Sequence, residues 1–367
     1  MMRPCAINAT FLYQPATGVG LYTSEVVRRL LLKEGYVAYT SSESLQRSFP
    51  DRVRGVYPGL SPQHGALGHL RRNCWTQSTL RWLLFRDRAG ALYAPVPEAV
   101  LLSPTPQVVT VHDLTPLLYP LLYPRLQVYY RHVLPRMLES ARIVIAVSEN
   151  TRRDLLLRYR LSSRKVIVVP EAVDPARFRP QPPGSGRYAP GSYLLAVGDH
   201  RPHKNLQRAL EAFDRVGDGN LRLILAGRTF LQDRDYVPRA LAGLRRPQRV
   251  IVPGYVPPEE LPALYSDAVA LLFPSLYEGF GLAPLEAMAC GTPVIASRAA
   301  SIPEVCGDAA EYFDPLSVGE MEQAIRGVLD DEGRRQELRE RGLRRARLFS
   351  WDDVVERIHG ILQRSLL

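Results

Sequence analysis

"AVALLFPSLYEGFGLAPLEAMACGTPVIAS", residues 268–297, holds a strand, a turn, a helix and a second strand in succession. AVALLFP (268–274) and PVIAS (293–297) are unbroken apolar runs, the pattern of parallel strands buried on both faces. Between them lie a glycine-rich turn and a helical stretch expected over Pro284–Cys290. A strand, a crossover helix and a parallel partner strand make a right-handed βαβ unit. Two glutamates, Glu278 and Glu286, flank the turn with seven residues between them. A carboxylate pair suits acid–base hydrolysis, and it also suits ligand binding.

The same rhythm runs along the rest of the chain. Strands are expected at CAINAT (5–10), ALYA (91–94), QVVTVH (107–112), RIVIAVS (142–148) and KVIVVP (165–170), then at SYLLAVG (192–198), LRLILAG (221–227) and RVIVPG (249–254). Helices are expected over Val19–Glu34, Leu126–Ser140, Glu149–Tyr159, Asn205–Arg215 and Glu259–Ser266. The rhythm is interrupted once, at PEAVDPARFRPQPPGSGRYAPGS (170–192), which is rich in proline, glycine and charge. That stretch reads as the linker between two Rossmann-like α/β domains, 1–172 and 173–349. After the basic helix EGRRQELRERGLRRAR, a last helix is expected over 350–367, with Ser350 as its N-cap.

The totals agree with this organisation. A chain of 367 residues exceeds one ordinary core at roughly 150 residues per domain. With 46% hydrophobic and 23% charged residues it has the balance of a globular protein. Prolines break the most apolar segment, Val100–Tyr123, and the first residues lack an apolar core of signal-peptide length. The expected address is cytoplasmic. The cysteines (Cys5, Cys74, Cys290, Cys306) form no C-x-x-C pair and read as buried, reduced thiols. A net charge of +10 suits an anionic partner: nucleic acid, an acidic membrane or a phosphorylated small molecule. Arginine carries nearly all of it; the only lysines are Lys33, Lys165 and Lys204.

In open α/β sheets, ligands bind beyond the carboxyl ends of strands. Five such places hold unusual residues. Gly18 and Gly20 precede a helix whose amides can meet an anion, although Thr23 stands where a dinucleotide fingerprint has its third glycine, and a plain tight turn explains them equally well. His112 and Asp113 end an apolar strand; a core histidine is the competing reading. In AVGDHRPHKN, Gly198 ends a strand, His200, Arg201 and His203 lie in the loop, and Lys204 with Asn205 begins a helix. Lysine is a compact point charge suited to phosphate. Arg228 follows another strand and is equally a surface group. In the opening stretch, Gly279 and Gly281 allow close backbone approach, and the helix from about Leu282 offers free N–H groups. Proximity to that helix N-terminus predicts an ionised Glu286. No D-x-D triplet sits where it would chelate a divalent metal; DRD (233–235) follows no strand.

FPSLYEGFGLAPLEAMACGTPVIAS and SIPEVCGDAAEYFDP resemble the signature of retaining nucleotide-sugar glycosyltransferases of family 4, which have the GT-B fold. TGVGLYT, VTVHDL, AVSENTRRDL, VIVVPEAVD and VGDHRPHKN extend the resemblance over nearly the whole chain, in the family's order. It implies two Rossmann-like domains facing across a cleft, the first holding the acceptor and the second a nucleoside-diphosphate sugar, with the 350–367 helix crossing back onto the first domain. It also implies roles. Glu286 would bind the ribose. Glu278 and His112 would lie at the transferred sugar. Lys204 and the amides of Phe280, Gly281 and Leu282 would hold the diphosphate, and Gly20 would approach it from the other domain. Where many members carry an arginine after the strand-ending glycine, this chain has Asp199, and Arg201 and Arg228 are the candidates to supply that charge. No cofactor and no metal are implied.

Rival readings fit less well. A retaining glycosidase needs its carboxylates roughly 5 Å apart across one bond, which a ribose-binding Glu286 cannot satisfy. A nicotinamide dehydrogenase lacks its fingerprint. A nucleic-acid-binding protein would cluster its arginines around aromatic residues. A non-catalytic sugar-nucleotide sensor of the same fold stays open. The expected acceptor is a glycan or a lipid-linked glycan. LGHLRRNCWTQSTLRWLLFRDR (67–88) is either a packing face or a contact with anionic membrane at its inner face, and PLLYPLLYP (116–124) lines the acceptor pocket in the same reading. Likeness to bacterial mannosyltransferases in VTVHDLTPLLYP points to GDP-mannose, with UDP-, ADP- and dTDP-sugars as alternatives.

Overall fold

The computed structural model describes residues 3–12, 18–217, 219–228 and 236–366. The DRD triplet at 233–235 lies outside them. The chain forms two compact units, Met1–Glu171 with Trp351–Leu367, and Ala172–Ser350.

The first unit is built on seven strands: β1 (Cys5–Asn8), β2 (Tyr36–Thr40), β3 (Val53–Gly55), β4 (Ala91–Ala94), β5 (Gln107–Val111), β6 (Ile143–Ala146) and β7 (Val166–Val168). All pair in parallel, in the order β3-β2-β1-β4-β5-β6-β7. Leu92, Val109 and Val144 on the sheet pack against Leu80, Leu84, Leu134 and Leu138 on flanking helices. The second unit holds β8 (Tyr193–Val197), β9 (Arg222–Ala226), β10 (Val250–Gly254), β11 (Ala270–Phe273), β12 (Val294–Ser297) and β13 (Ala310–Phe313), again all parallel, in the order β10-β9-β8-β11-β12-β13. Leu194, Leu223, Leu272 and Ile295 meet Leu210, Phe213 and Ile325 in its core. Each unit is thus a doubly wound Rossmann-like sheet.

Several expectations are corrected. The helix expected over Leu126–Ser140 is two helices, Pro124–His132 and Leu134–Ser140, because Pro135 has no amide to continue the first. Strands β2, β3 and β13 were not anticipated; β3 is a three-residue edge strand and β13 is half-covered. The 170–192 segment is mostly not a free linker. The change of unit falls at its start, and the rest is strapped onto the second unit. There the buried Asp267 carboxylate accepts from the amides of Gly184 and Gly186 (both 2.8 Å). Of the cysteines, Cys5, Cys290 and Cys306 are buried, with thiols pushed up to about 12 by desolvation, but Cys74 is exposed on the outer face of its helix.

The 67–88 segment divides its faces. Helices Gly65–Trp75 and Arg81–Arg86 are joined by a π turn, and Leu80 and Leu84 enter the core. On the other side Leu67, Leu70, Trp82 and Phe85 are exposed, Phe85 at 83%. Among the described residues no helix is long and apolar enough to cross a membrane. The final helix, Trp351–Leu366, packs in the first unit along the Gly18–Leu32 helix, with Trp351 against Tyr22 and Asp352 and Glu356 paired to Arg29 and Lys33.

Candidate active site

Strand order reverses between β8 and β11 in the second unit, and a crevice is expected beyond their carboxyl ends. A cleft lies there, lined by Gly198, Asp199, Lys204, Phe273 and Ser275 among others. Its floor is fixed by close backbone contacts. A Cβ on Gly227, after β9, would lie 1.7 Å from the Gly198 carbonyl oxygen, so only glycine fits. Lys204 closes a 3₁₀ turn over Pro202–Lys204, and the helix starts at Leu206 rather than at Lys204, because Asn205 turns left-handed (φ 58°). The Asn205 side-chain amide donates to the carbonyls of Pro274 and Pro315 (3.0 and 2.8 Å), and the Leu276 amide donates to His203 (2.8 Å). The β8 and β11 loops are therefore tied together.

The Lys204 ammonium projects between them and donates to Glu278 Oε1 at 2.7 Å; both side chains are less than a fifth exposed. Burial alone would lower the Lys204 pKa, but the Glu278 and Asp199 carboxylates outweigh it and raise it above the ordinary value. Asp199 lies 2.8 Å from the Arg201 guanidinium, which offsets its charge within the loop. Arg228 is exposed and stacks on the Tyr255 ring, 4.8 Å from its centroid. Burial, with Lys204 and Arg201 nearby, pushes His203 down to about 3.

Beyond β11 the glycine turn runs into the Leu282–Ala289 helix, with Gly281 at φ 117°, a conformation few other residues adopt. Ser301 Oγ reaches the carbonyls of both Glu278 and Phe280 (2.9 and 2.6 Å), and the Phe280 ring packs on Phe349. The turn is held by Ser301 and Phe349, and an α-helix leaves the amides of its first turn without intrahelical partners. Glu286 is the fifth residue of that helix. Its carboxylate accepts from the Tyr265 hydroxyl (2.9 Å), yet burial pushes its pKa up to about 7, with Tyr265 and Arg177 offsetting only part. The expectation of a fully ionised Glu286 is thus corrected. The helix-terminus effect fades within the first turn, and desolvation wins.

In the first unit the order reverses between β1 and β4. Gly18 and Gly20 do not precede the helix there; they form the first turn of Gly18–Leu32, Gly20 buried. His112 stands one residue past β5. Its Nδ1 lies 2.8 Å from Glu171 Oε1 and its Nε2 2.9 Å from the Pro95 carbonyl, and Tyr22 meets the ring edge-on at 4.7 Å. Burial opposes the charged ring, but Glu171, the Pro95 carbonyl and Asp113 together raise its pKa. The Asp113 carboxylate accepts from the Thr115 amide and starts the next helical turn.

The residues named in the second unit therefore gather as follows: Gly198 and Lys204 line the cleft, Glu278 joins Lys204, Phe280, Gly281 and Leu282 form the adjoining turn, and Glu286 follows one turn along. Arg201 is bound to Asp199, and Arg228 turns to Tyr255. Sequence reading assigned nothing to Glu171, Asn205, Tyr265 or Ser301. Glu171 and Asn205 stood inside quoted motifs; for Tyr265 no local signal existed.

Residues 179–345 match the family described as Glycosyl transferases group 1, and residues 16–177 match Glycosyltransferase Family 4. The O-antigen chain mannosyltransferase B of Escherichia coli is 30% identical over 93% of this chain and 94% of its own length. The O-antigen chain mannosyltransferase RfbU of Salmonella typhimurium is 32% identical over 60% of each chain. Anabaena Alr3699/HepE, solved in complex with UDP and glucose, has the same fold, with a TM-score of 0.76 at 17% identity over 99% of this chain and 100% of its own. The chain belongs to the group 1 glycosyltransferases of the family 4 type and has the GT-B α/β fold.

Proposed function

We propose that this glycosyltransferase moves mannose from GDP-mannose to a glycan or lipid-linked glycan acceptor, with retention of anomeric configuration. One observation carries the reading: the Lys204 ammonium meets Glu278 at 2.7 Å, beside the turn that opens the Leu282–Ala289 helix. A cation beside a helix N-terminus suits a departing diphosphate, and electrostatic preorganisation of this kind is a large term in catalysis. In this reading Lys204, Gly198 and the amides of Phe280, Gly281 and Leu282 hold the diphosphate, and Gly18 and Gly20 are assigned to nucleotide binding. Glu286 takes the ribose hydroxyls. Glu278 and His112 serve the transferred sugar, and the first unit holds the acceptor. Leaving-group stabilisation is assigned to Lys204 and the helix terminus, with no metal.

Mannose is supported by the relatives' names, which are mannosyltransferases at 30% and 32% identity. The guanine base follows from the same likeness, with uridine its main competitor. Thermal-shift measurements with GDP, UDP, ADP and dTDP decide it. GDP should stabilise most, and stabilisation by none would sink the transferase reading. Exposed Trp82 and Phe85, with Arg81, Arg86 and Arg88 around them, are assigned to peripheral contact with an anionic membrane. Co-sedimentation with phosphatidylglycerol vesicles, lost in a Trp82→Ser/Phe85→Ser variant, is the expected result; equal binding by both proteins would remove the assignment.

A further inference from the structure

We propose that Glu171 is a positioning residue that keeps His112 as a doubly donating imidazolium, oriented and charged before any sugar nucleotide arrives. The role rests on the reading of His112 as a sugar-site residue. The geometry itself does not.

Both ring nitrogens of His112 face lone-pair groups: the Glu171 carboxylate at 2.8 Å and the Pro95 carbonyl at 2.9 Å. A neutral imidazole has one N–H and one acceptor nitrogen. It can satisfy one of these partners and must present a lone pair to the other. An imidazolium satisfies both. The ring is 7% exposed and Glu171 5% exposed, so water replaces neither partner. The backbone is fixed as well, because Thr151 Oγ1 donates to the His112 carbonyl at 3.2 Å.

The charged and titratable groups around the ring agree. Glu171 approaches after β7, and Asp113 follows His112 in the chain. Tyr22 comes from the Gly18–Leu32 helix, its hydroxyl bonded to Tyr93 of β4 and Thr110 of β5. Burial pushes the Tyr22 hydroxyl up to about 12, so it stays neutral. The carboxylates are thus the charges that favour the cation, and Glu171 is the one in contact.

Two consequences follow. With both nitrogens committed, His112 acts on a sugar through charge and shape, and its ring is not a proton acceptor. Glu171 also ends the first of the two segments that make up the first unit, so the pair pins the point where the chain leaves that unit to the end of β5.

The test is ¹⁵N NMR of the histidine-labelled full chain, with the His112 signals assigned by their loss in His112→Asn. At pH 7.5 both ring nitrogens should show the protonated signature. Glu171→Gln should lower the His112 titration midpoint by about 1–3 pH units, and Glu171→Asp should restore part of that shift. One unprotonated ring nitrogen in the wild-type spectrum, the signature of a neutral ring bonded to a neutral acid, overturns the proposal without any variant. An unchanged midpoint in a folded Glu171→Gln protein overturns it too. These readouts need no turnover. Failure of nucleotide binding would therefore strike the transferase reading alone, and a neutral His112 would strike this proposal alone.

Discussion

Replacing Glu278 by glutamine should tighten the grip on a nucleoside diphosphate while lowering sugar transfer. The Lys204 ammonium is paired with Glu278 Oε1 at 2.7 Å, with side-chain exposures of 19% and 14%. A diphosphate that uses Lys204 shares the ammonium with that carboxylate and competes with it for the same positive charge, anion beside anion. The contact removed is a hydrogen bond between charged groups, worth about 1.5–3 kcal/mol net. Glutamine keeps a neutral carbonyl acceptor for the lysine, so part of the contact survives. The competitor's removal is then worth about 1–2 kcal/mol, roughly a 5–30-fold gain in affinity. Isothermal titration with GDP at pH 7.5 reads this directly, and Lys204→Ala is the control, expected to weaken GDP binding in either background. Unchanged or weaker GDP binding by Glu278→Gln would refute the competition. Unchanged binding by Lys204→Ala would take the lysine out of the site.

Glu286 makes stability depend on pH. Its carboxyl rises from 4.5 unfolded to about 7 folded, so the folded chain binds the extra proton between those values. Stability is therefore lost as pH rises from about 4.5 through 7, by a few kcal/mol at most. Glu286→Gln should escape that loss, its melting temperature gaining on wild type from pH 5 to 7.5; parallel curves would show that Glu286 is not desolvated. Gly227→Ala places a Cβ 1.7 Å from the Gly198 oxygen and should cost about 1–3 kcal/mol of stability by forcing the loops apart. A melting temperature equal to wild type would show that the loops are not packed as described.

The fold was legible where burial writes itself into local sequence. AVALLFP, QVVTVH and LRLILAG announce buried parallel strands because both faces are apolar. Tyr36–Thr40 and Ala310–Phe313 did not: both are short, and Val37, Glu311 and Tyr312 in them are only partly covered. In the site, Lys204 stood out by rarity and Gly281 by what only glycine permits. The state of each charged group was another matter. Glu286 sits near a helix terminus in sequence, but its proton is set by the apolar surroundings and Tyr265, visible only once the chain is folded. Glu171 meets His112 across 59 residues, and nothing local in PEAV names that partner. Asp199, which stands where many members of the family carry an arginine, is offset by Arg201 two residues on.

The Trp351–Leu366 helix changes how the order of synthesis relates to the order of folding. It packs in the first unit, although the ribosome makes it only after the whole of the second. The second unit is one continuous segment whose ends lie side by side, with the Val173 amide bonded to the Phe349 carbonyl at 3.4 Å. In sequence it is a cassette inserted between the two segments of the first unit. During translation the cassette has all its residues before its host does, and the surface of the Gly18–Leu32 helix that Trp351 will cover stays open to chaperones until the closing helix emerges.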